Sequence, residues 1–182
     1  MRGNGKEDII DEFWDGILEL YTSYKIALMG LLQVNESYAN ALKINPDLKN
    51  FIIRDENHKY EIKLDAIDFV KKNSRNGYFK QTLAGVYLSS IYQLWEDKYR
   101  EELAILNNKP KSQIKSELIG EIRILRQAII HNNFKPITDL KKMKILDFIK
   151  IDDFINLSFD EMSKIILLLD KEMDLLRKEY CA

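Results

Sequence analysis

Seven apolar side chains, Ile10, Phe13, Ile17, Tyr21, Tyr24, Leu28 and Leu31, succeed one another at intervals of three and four residues. On a strand that series would scatter over both faces, whereas on an α-helix it draws one stripe, so this stretch is committed to a long amphipathic helix. The helix is predicted to run on, with a break, through Ser37 to Leu42 and to stop before Pro46, because the residue ahead of a proline resists the α conformation. The same period recurs at Ala84, Leu88, Ile91 and Trp95, predicting a second long helix that reaches about Leu106 and ends at Asn107-Asn108-Lys109-Pro110. A third long helix is predicted from Ser112 to Asn132 and a fourth from Ser158 to Tyr180. In the fourth, Ser158 followed by Glu161 is a capping-box signature, and Met162, Ile165, Ile166, Leu169, Met173, Leu176 and Tyr180 form a core face.

Only seven Gly and three Pro stand among the 182 residues, too few for the repeated tight turns of an all-β fold. One local exception interrupts the helical pattern. Phe51-Ile52-Ile53-Arg54 and Lys59-Tyr60-Glu61-Ile62-Lys63-Leu64 place β-branched and aromatic residues on either side of the polar Asp55-Glu56-Asn57-His58, which predicts a short surface hairpin with His58 in its solvated turn. A short helix near Asp65 to Lys72 and a turn at Asn76-Gly77 follow, and the linker from Pro136 to Leu157 combines a helical turn with the extended-looking Phe148-Ile149-Lys150-Ile151. The expected fold is all-α: a bundle of four long helices with short additional helices and a small hairpin insertion at residues 51–64, forming a single domain over residues 1–182.

The longest aliphatic run, Ile165-Ile166-Leu167-Leu168-Leu169, is far below the roughly 20 residues of a membrane span. Met1 to Asp8 has no apolar segment of the kind that opens a secretory signal. The single cysteine, Cys181, permits neither an internal disulfide nor a multi-cysteine metal site. A cytoplasmic, non-membrane protein without metal or cofactor is expected. Net charge is −1, yet from Lys109 to Lys150 ten Lys and Arg face four acids, a surplus of six, so the remainder carries −7. A basic zone on an acidic body is the pattern expected where a polyanion is held at one place.

Inside that zone lies Arg126-Gln127-Ala128-Ile129-Ile130-His131-Asn132-Asn133. At α-helical pitch Leu118, Ile122, Leu125 and Ile129 form a core stripe. Gly120, Gln127 and His131 fall on roughly the opposite side, with Arg123 and Arg126 flanking and Ile119, Ile124 and Ile130 interspersed. Three isoleucines on an outward face predict that this face is covered as well, by a second copy of the chain. Gly120 costs a helix about 1 kcal/mol relative to Ala, and close approach of another element is the expected reason to keep it. At the same pitch Arg126 and His131 are about 140° apart, so joint action relies on the long arginine side chain or on the partner's copy. On the preceding helix Glu96 and Arg100 stand four apart, suited to an ion pair or to lining the same site. Tyr78, Tyr87, Tyr92 and Tyr99 read as core and rim residues.

An Arg, a polar residue, three others and a His at the end of the third long helix of such a bundle resemble the HEPN superfamily, whose hallmark is an Arg separated by four to six residues from a His. The resemblance covers the bundle from Phe79 to Tyr180, including the basic linker and the capped last helix. Many members have Asn or Asp after the arginine, where this chain has Gln127. The resemblance implies a metal-independent endoribonuclease acting as a homodimer, with Arg126 and His131 catalytic and with Gln127, Asn132, Arg123, Glu96 and Arg100 supporting catalysis or RNA binding. It further implies a toxin or anti-phage effector, with a cognate antitoxin or regulatory protein as a possible partner. The alternative it leaves is a non-catalytic module of the same fold that dimerises and binds a protein or a nucleotide. The residue types suit RNA cleavage by the RNA's own 2'-hydroxyl: imidazole titrates near neutrality and moves protons, while guanidinium forks onto phosphate oxygens.

Overall fold

Helix α1 runs from Gly5 to Ile44 without the expected break. The Ser37 hydroxyl donates back to the Gln33 carbonyl at 3.0 Å, so it is satisfied within the helix and the winding continues. The computed structural model describes residues 5–54, 57, 59–74 and 77–181. His58 and Asn76, both expected in turns, lie outside the described residues. Strands β1 (Asn50–Arg54) and β2 (Glu61–Asp65) are antiparallel, with Phe51 opposite Leu64 and Ile53 opposite Ile62. Helix α2 (Ala66–Lys72) starts where the Asp65 carboxylate accepts the Asp68 N–H at 2.8 Å. The second long helix is α3 (Tyr78–Leu94), a π turn (Trp95–Tyr99) and α4 (Arg100–Leu106) in one continuous winding.

The third long helix departs from expectation. Residues Lys111–Gln113 form a 3-10 turn, Ile114 is extended and fully buried, and α5 begins only at Glu117, running to Arg126 before a second π turn over Gln127–His131. Ser116, not Ser112, caps it, accepting the Ile119 N–H at 3.1 Å. Helix α6 (Phe159–Tyr180) starts at the predicted capping box, with the Ser158 N–H donating to Glu161 at 2.6 Å and the Glu161 N–H to the Ser158 hydroxyl at 3.3 Å. Between α5 and α6 the linker carries a 3-10 turn at Thr138–Lys142 and one bridge, Ile151 to Ile155. The protein is thus mostly helical, with one small two-stranded sheet among the described residues.

The residues divide into two compact units, one of residues 5–24 and 84–181 and one of residues 25–83. No linker composition marks the boundaries, which fall inside α1 and α3. In the first unit, Ile10, Phe13 and Ile17 of α1, Leu88 and Ile91 of α3, Leu118, Ile122 and Leu125 of α5, and Ile165, Leu169 and Met173 of α6 are all buried. Each such side chain contributes about 1.5–3 kcal/mol by leaving water. The Phe13 ring lies 5.5 Å from Trp95 and 5.0 Å from Tyr99. In the second unit, Phe51, Ala66 and Phe69 form the core, with Tyr38 edge-on to Phe51 at 4.2 Å. Gly77 follows α2 closely enough that a Cβ there would lie 2.2 Å from the Lys72 carbonyl oxygen, so no larger residue fits.

Candidate functional site

Helix α5 turns Leu118, Ile122, Leu125 and, through the π turn, Ile129 inward, and all four are buried as their spacing predicts. Ile119 corrects the expected outer face: it is 1% exposed inside its own chain, so only the half-buried Ile124 and the 49% exposed Ile130 are left apolar on the outside. Gly120 meets no close neighbour within the described residues; a Cβ there would have open space. That space is a cavity of about 470 Å³ whose walls include Tyr92, Trp95, Glu96, Arg100, Gly120 and Arg123. Three of the residues singled out from sequence, Glu96, Arg100 and Arg123, therefore converge on one cleft.

The cleft's far wall is pinned by ionic and backbone contacts. The Arg100 guanidinium donates to Glu96 at 2.8 Å and, through Nε, to the Ile114 carbonyl at 2.8 Å, while Lys111 stands 3.3 Å from the other Glu96 oxygen. Burial alone would raise the Glu96 carboxyl, but hydrogen bonds from Arg100 and Lys111 hold it below its ordinary range, so it stays ionised. The near wall is α5, whose start is set by two contacts with α6. Glu172, buried on α6, accepts a hydrogen bond from Ser116, and the Tyr180 hydroxyl both accepts the Lys115 N–H at 2.9 Å and donates to the Lys115 carbonyl at 3.1 Å.

Arg126 sits at the rim with its guanidinium 5.3 Å from the centre of the Tyr92 ring, a cation–π contact that holds the side chain beside the cleft. The π turn changes the geometry that regular α winding predicts for the motif. A π turn closes its bonds between residues five apart, so Arg126 and His131 stand about one wide turn from each other and not on opposed faces. Gln127 is half-buried, His131 is exposed, and no hydrogen bond or ion pair engages the His131 imidazole among the described residues. Asn132 is half-buried, and its amide nitrogen is engaged by its own loop, donating to the Lys135 carbonyl at 3.0 Å and the Pro136 carbonyl at 3.3 Å.

Immediately after the motif the backbone enters the left-handed region at Asn133 (φ 49°) and Phe134 (φ 64°). A bulky residue there is strained, typically by about 1–3 kcal/mol, and persists only where its surroundings over-determine it. Here the Phe134 N–H donates to the Ala128 carbonyl at 3.1 Å, its carbonyl accepts the Ile155 N–H at 2.8 Å, and its ring is buried 3.3 Å from where a Gly85 Cβ would stand. The basic linker beyond is held by one acid that sequence reading passed over. The Glu121 carboxylate accepts the consecutive backbone N–H groups of Lys144, Ile145 and Leu146 at 2.6–3.1 Å, leaving Lys141, Lys142 and Lys144 exposed. No three His, Cys, Asp or Glu side chains gather as metal ligands among the described residues, and no helix there is long and apolar enough to cross a membrane. Compared with family models, with curated proteins and with solved structures, this chain finds no match.

Proposed function

We propose that the protein is a metal-independent endoribonuclease of the HEPN kind, cleaving RNA through attack of the 2'-hydroxyl on the adjacent phosphate, and that it serves as a toxin or anti-phage effector. The observation that carries the reading is the π turn over Gln127–His131: it winds an unengaged, exposed His131 to within one wide turn of a guanidinium held at the rim of a cleft. In this reading His131 moves the proton of the attacking or leaving oxygen, and Arg126 neutralises the charge that grows on phosphorus. Gln127 and Arg123 flank that pair, Glu96 and Arg100 shape the cleft, and the exposed lysines of the linker hold the RNA backbone.

One chain supplies one such histidine, whereas the reaction needs a base and then an acid. A homodimer meeting at the outer face of α5, around Ile124 and Ile130, supplies both. An antitoxin or regulatory protein would then act by covering the same face. The test compares wild type with Arg126→Ala and His131→Ala on a labelled single-stranded oligoribonucleotide. Each variant is expected to lose at least about 100-fold in cleavage rate, the lower end of general acid–base contributions, with an unchanged circular dichroism spectrum. Undiminished cleavage by His131→Ala contradicts the assignment. Wild type that binds RNA but never cuts it favours the non-catalytic binding module.

A further inference from the structure

The cleft beside the motif carries a recognition device of its own. Along α5, Glu117, Gly120 and Arg123 are spaced by three residues each, so the acid and the base are the helix-surface neighbours of the glycine on either side. All three line the 470 Å³ cavity. Gly120 leaves a bare floor between them, with nothing within 4 Å of where its Cβ would be. Both flanking charges are exposed, and neither has a salt-bridge partner within 4 Å or a hydrogen-bond partner among the described residues; Asp139 senses Arg123 only at longer range. The charges on the opposite wall are already committed: Glu96 to Arg100 and Lys111, Arg100 to Glu96 and the Ile114 carbonyl. What remains on α5 to meet a ligand is one carboxylate, one guanidinium and an open floor; exposed Lys115 also lines the cavity, and Tyr92 and Trp95 stand on the facing side.

The two charges are separated by six residues of helix, about 9 Å of rise, before their side chains lean in. A ligand spanning them must present donors at one end and acceptors at the other, and be flat enough to lie on a glycine. We propose that the cleft is a subsite for a guanine base of the single-stranded RNA substrate, a proposal that rests on the ribonuclease reading above. Guanine offers adjacent N1–H and N2–H donors to the Glu117 carboxylate, and its O6 and N7 acceptors suit the fork of Arg123. Adenine, with a lone N6 amino group beside an N1 acceptor, turns an acceptor toward the acid. Cytosine and uracil are too short to engage both ends and lack the paired donors. Unpaired RNA can deliver a splayed base into such a cleft while its backbone continues past Arg126 and His131.

The test separates this subsite from the cleavage chemistry. Guanosine, inosine and adenosine 5'-monophosphates are titrated calorimetrically into the full chain, and oligoribonucleotides carrying a single G, I or A are offered for cleavage. The expected result is that the guanosine nucleotide binds at least about tenfold tighter than the other two, the scale of one good bidentate pair. Glu117→Gln is expected to remove most of the advantage of guanosine over inosine, because a single amide oxygen cannot accept from N1–H and N2–H as the carboxylate does, and to weaken inosine less, since inosine presents N1–H alone. Gly120→Leu, whose Cβ enters open space and whose longer side chain projects into the cleft, is expected to abolish binding of all three, with an unchanged melting curve verifying its fold. Equal affinities for guanosine and inosine, or no effect of Glu117→Gln, overturn the proposal. RNA cleavage without any preference for G overturns the subsite and leaves the nuclease reading standing, whereas guanosine selectivity in a chain that cuts no RNA does the reverse.

Discussion

Gly85 and Gly120 both sit within helices, and an added methyl group is predicted to act on them in opposite directions. At Gly85 a Cβ would lie 2.6 Å from the Ile129 γ2 methyl, and a β-branched side chain fixed in a π turn cannot swing away. Gly85→Ala is therefore expected to cost about 1–3 kcal/mol of overpacking, exceeding the gain in helix propensity. At Gly120 the methyl enters open space, so Gly120→Ala is expected to stabilise by up to about 1 kcal/mol. Urea denaturation of the two variants measures both signs. Glu121 gives a third test at this scale. Glu121→Ala strands three backbone N–H groups of the linker, and a loss of about 1–3 kcal/mol is expected, with faster amide exchange at Lys144, Ile145 and Leu146. Glu121 looked like one more surface acid in the sequence, because the loop it holds lies more than twenty residues away and has no recognisable pattern.

At the scale of elements, periodicity located α1, the α3–α4 winding, α6 with its capping box, and the hairpin, because in each of these the local pattern agrees with the fold. It misplaced the start of α5. Ser112 and Ser116 are equally good caps in sequence, and the choice between them is made by α6, through Glu172 on Ser116 and Tyr180 on both backbone groups of Lys115. The π turns were equally hidden, since the buried Trp95, Tyr99 and Leu103, and likewise Leu125 and Ile129, keep spacings of four that an ordinary helix also shows, so nothing in the local sequence marks the extra residue. The α6 contact makes a pH prediction. Burial pushes the Glu172 carboxyl up, with Glu117 and Glu179 adding to the rise and the Ser116 hydrogen bond opposing it. The folded state therefore holds this proton more tightly than the unfolded chain, and Glu172 lowers stability increasingly as pH rises above about 4.5, the ordinary value of its carboxyl. Glu172→Gln, still able to accept from Ser116, is expected to be more stable than wild type at neutral pH and to lose that advantage toward pH 4. Thermal melts across that range check the sign; a constant difference contradicts it.

For the whole molecule, the sequence led to a second copy of the chain through three isoleucines, one of which the fold takes into its own core. The face that remains is smaller and lies closer to the motif, centred on Ile130. Sedimentation at micromolar concentration is expected to show twice the 21.5 kDa of one chain, and Ile130→Glu is expected to give monomers and to remove cleavage together with dimerisation. A wild-type monomer would contradict the two-histidine arrangement. RNA affinity should fall steeply with salt, because exposed Lys135, Lys141, Lys142, Lys144 and Lys150 meet phosphates and release their counterions. The basic zone was legible as a run of charge, and Glu96 and Arg100 were legible as candidates for lining the site, but the cleft they share with Glu117 and Gly120 was not, since it is formed by side chains from helices distant in sequence. If Arg126 and His131 direct the RNA's own 2'-hydroxyl onto its phosphate, as we propose, cleavage depends on that hydroxyl and on no metal ion. An oligoribonucleotide and a copy with a single 2'-deoxyribose at the cut site are incubated with the protein in excess EDTA. We expect the all-ribose strand to be cut, leaving a 2',3'-cyclic phosphate, and the deoxy copy to survive at that position; cleavage of the deoxy copy there would rule out attack by the 2'-hydroxyl.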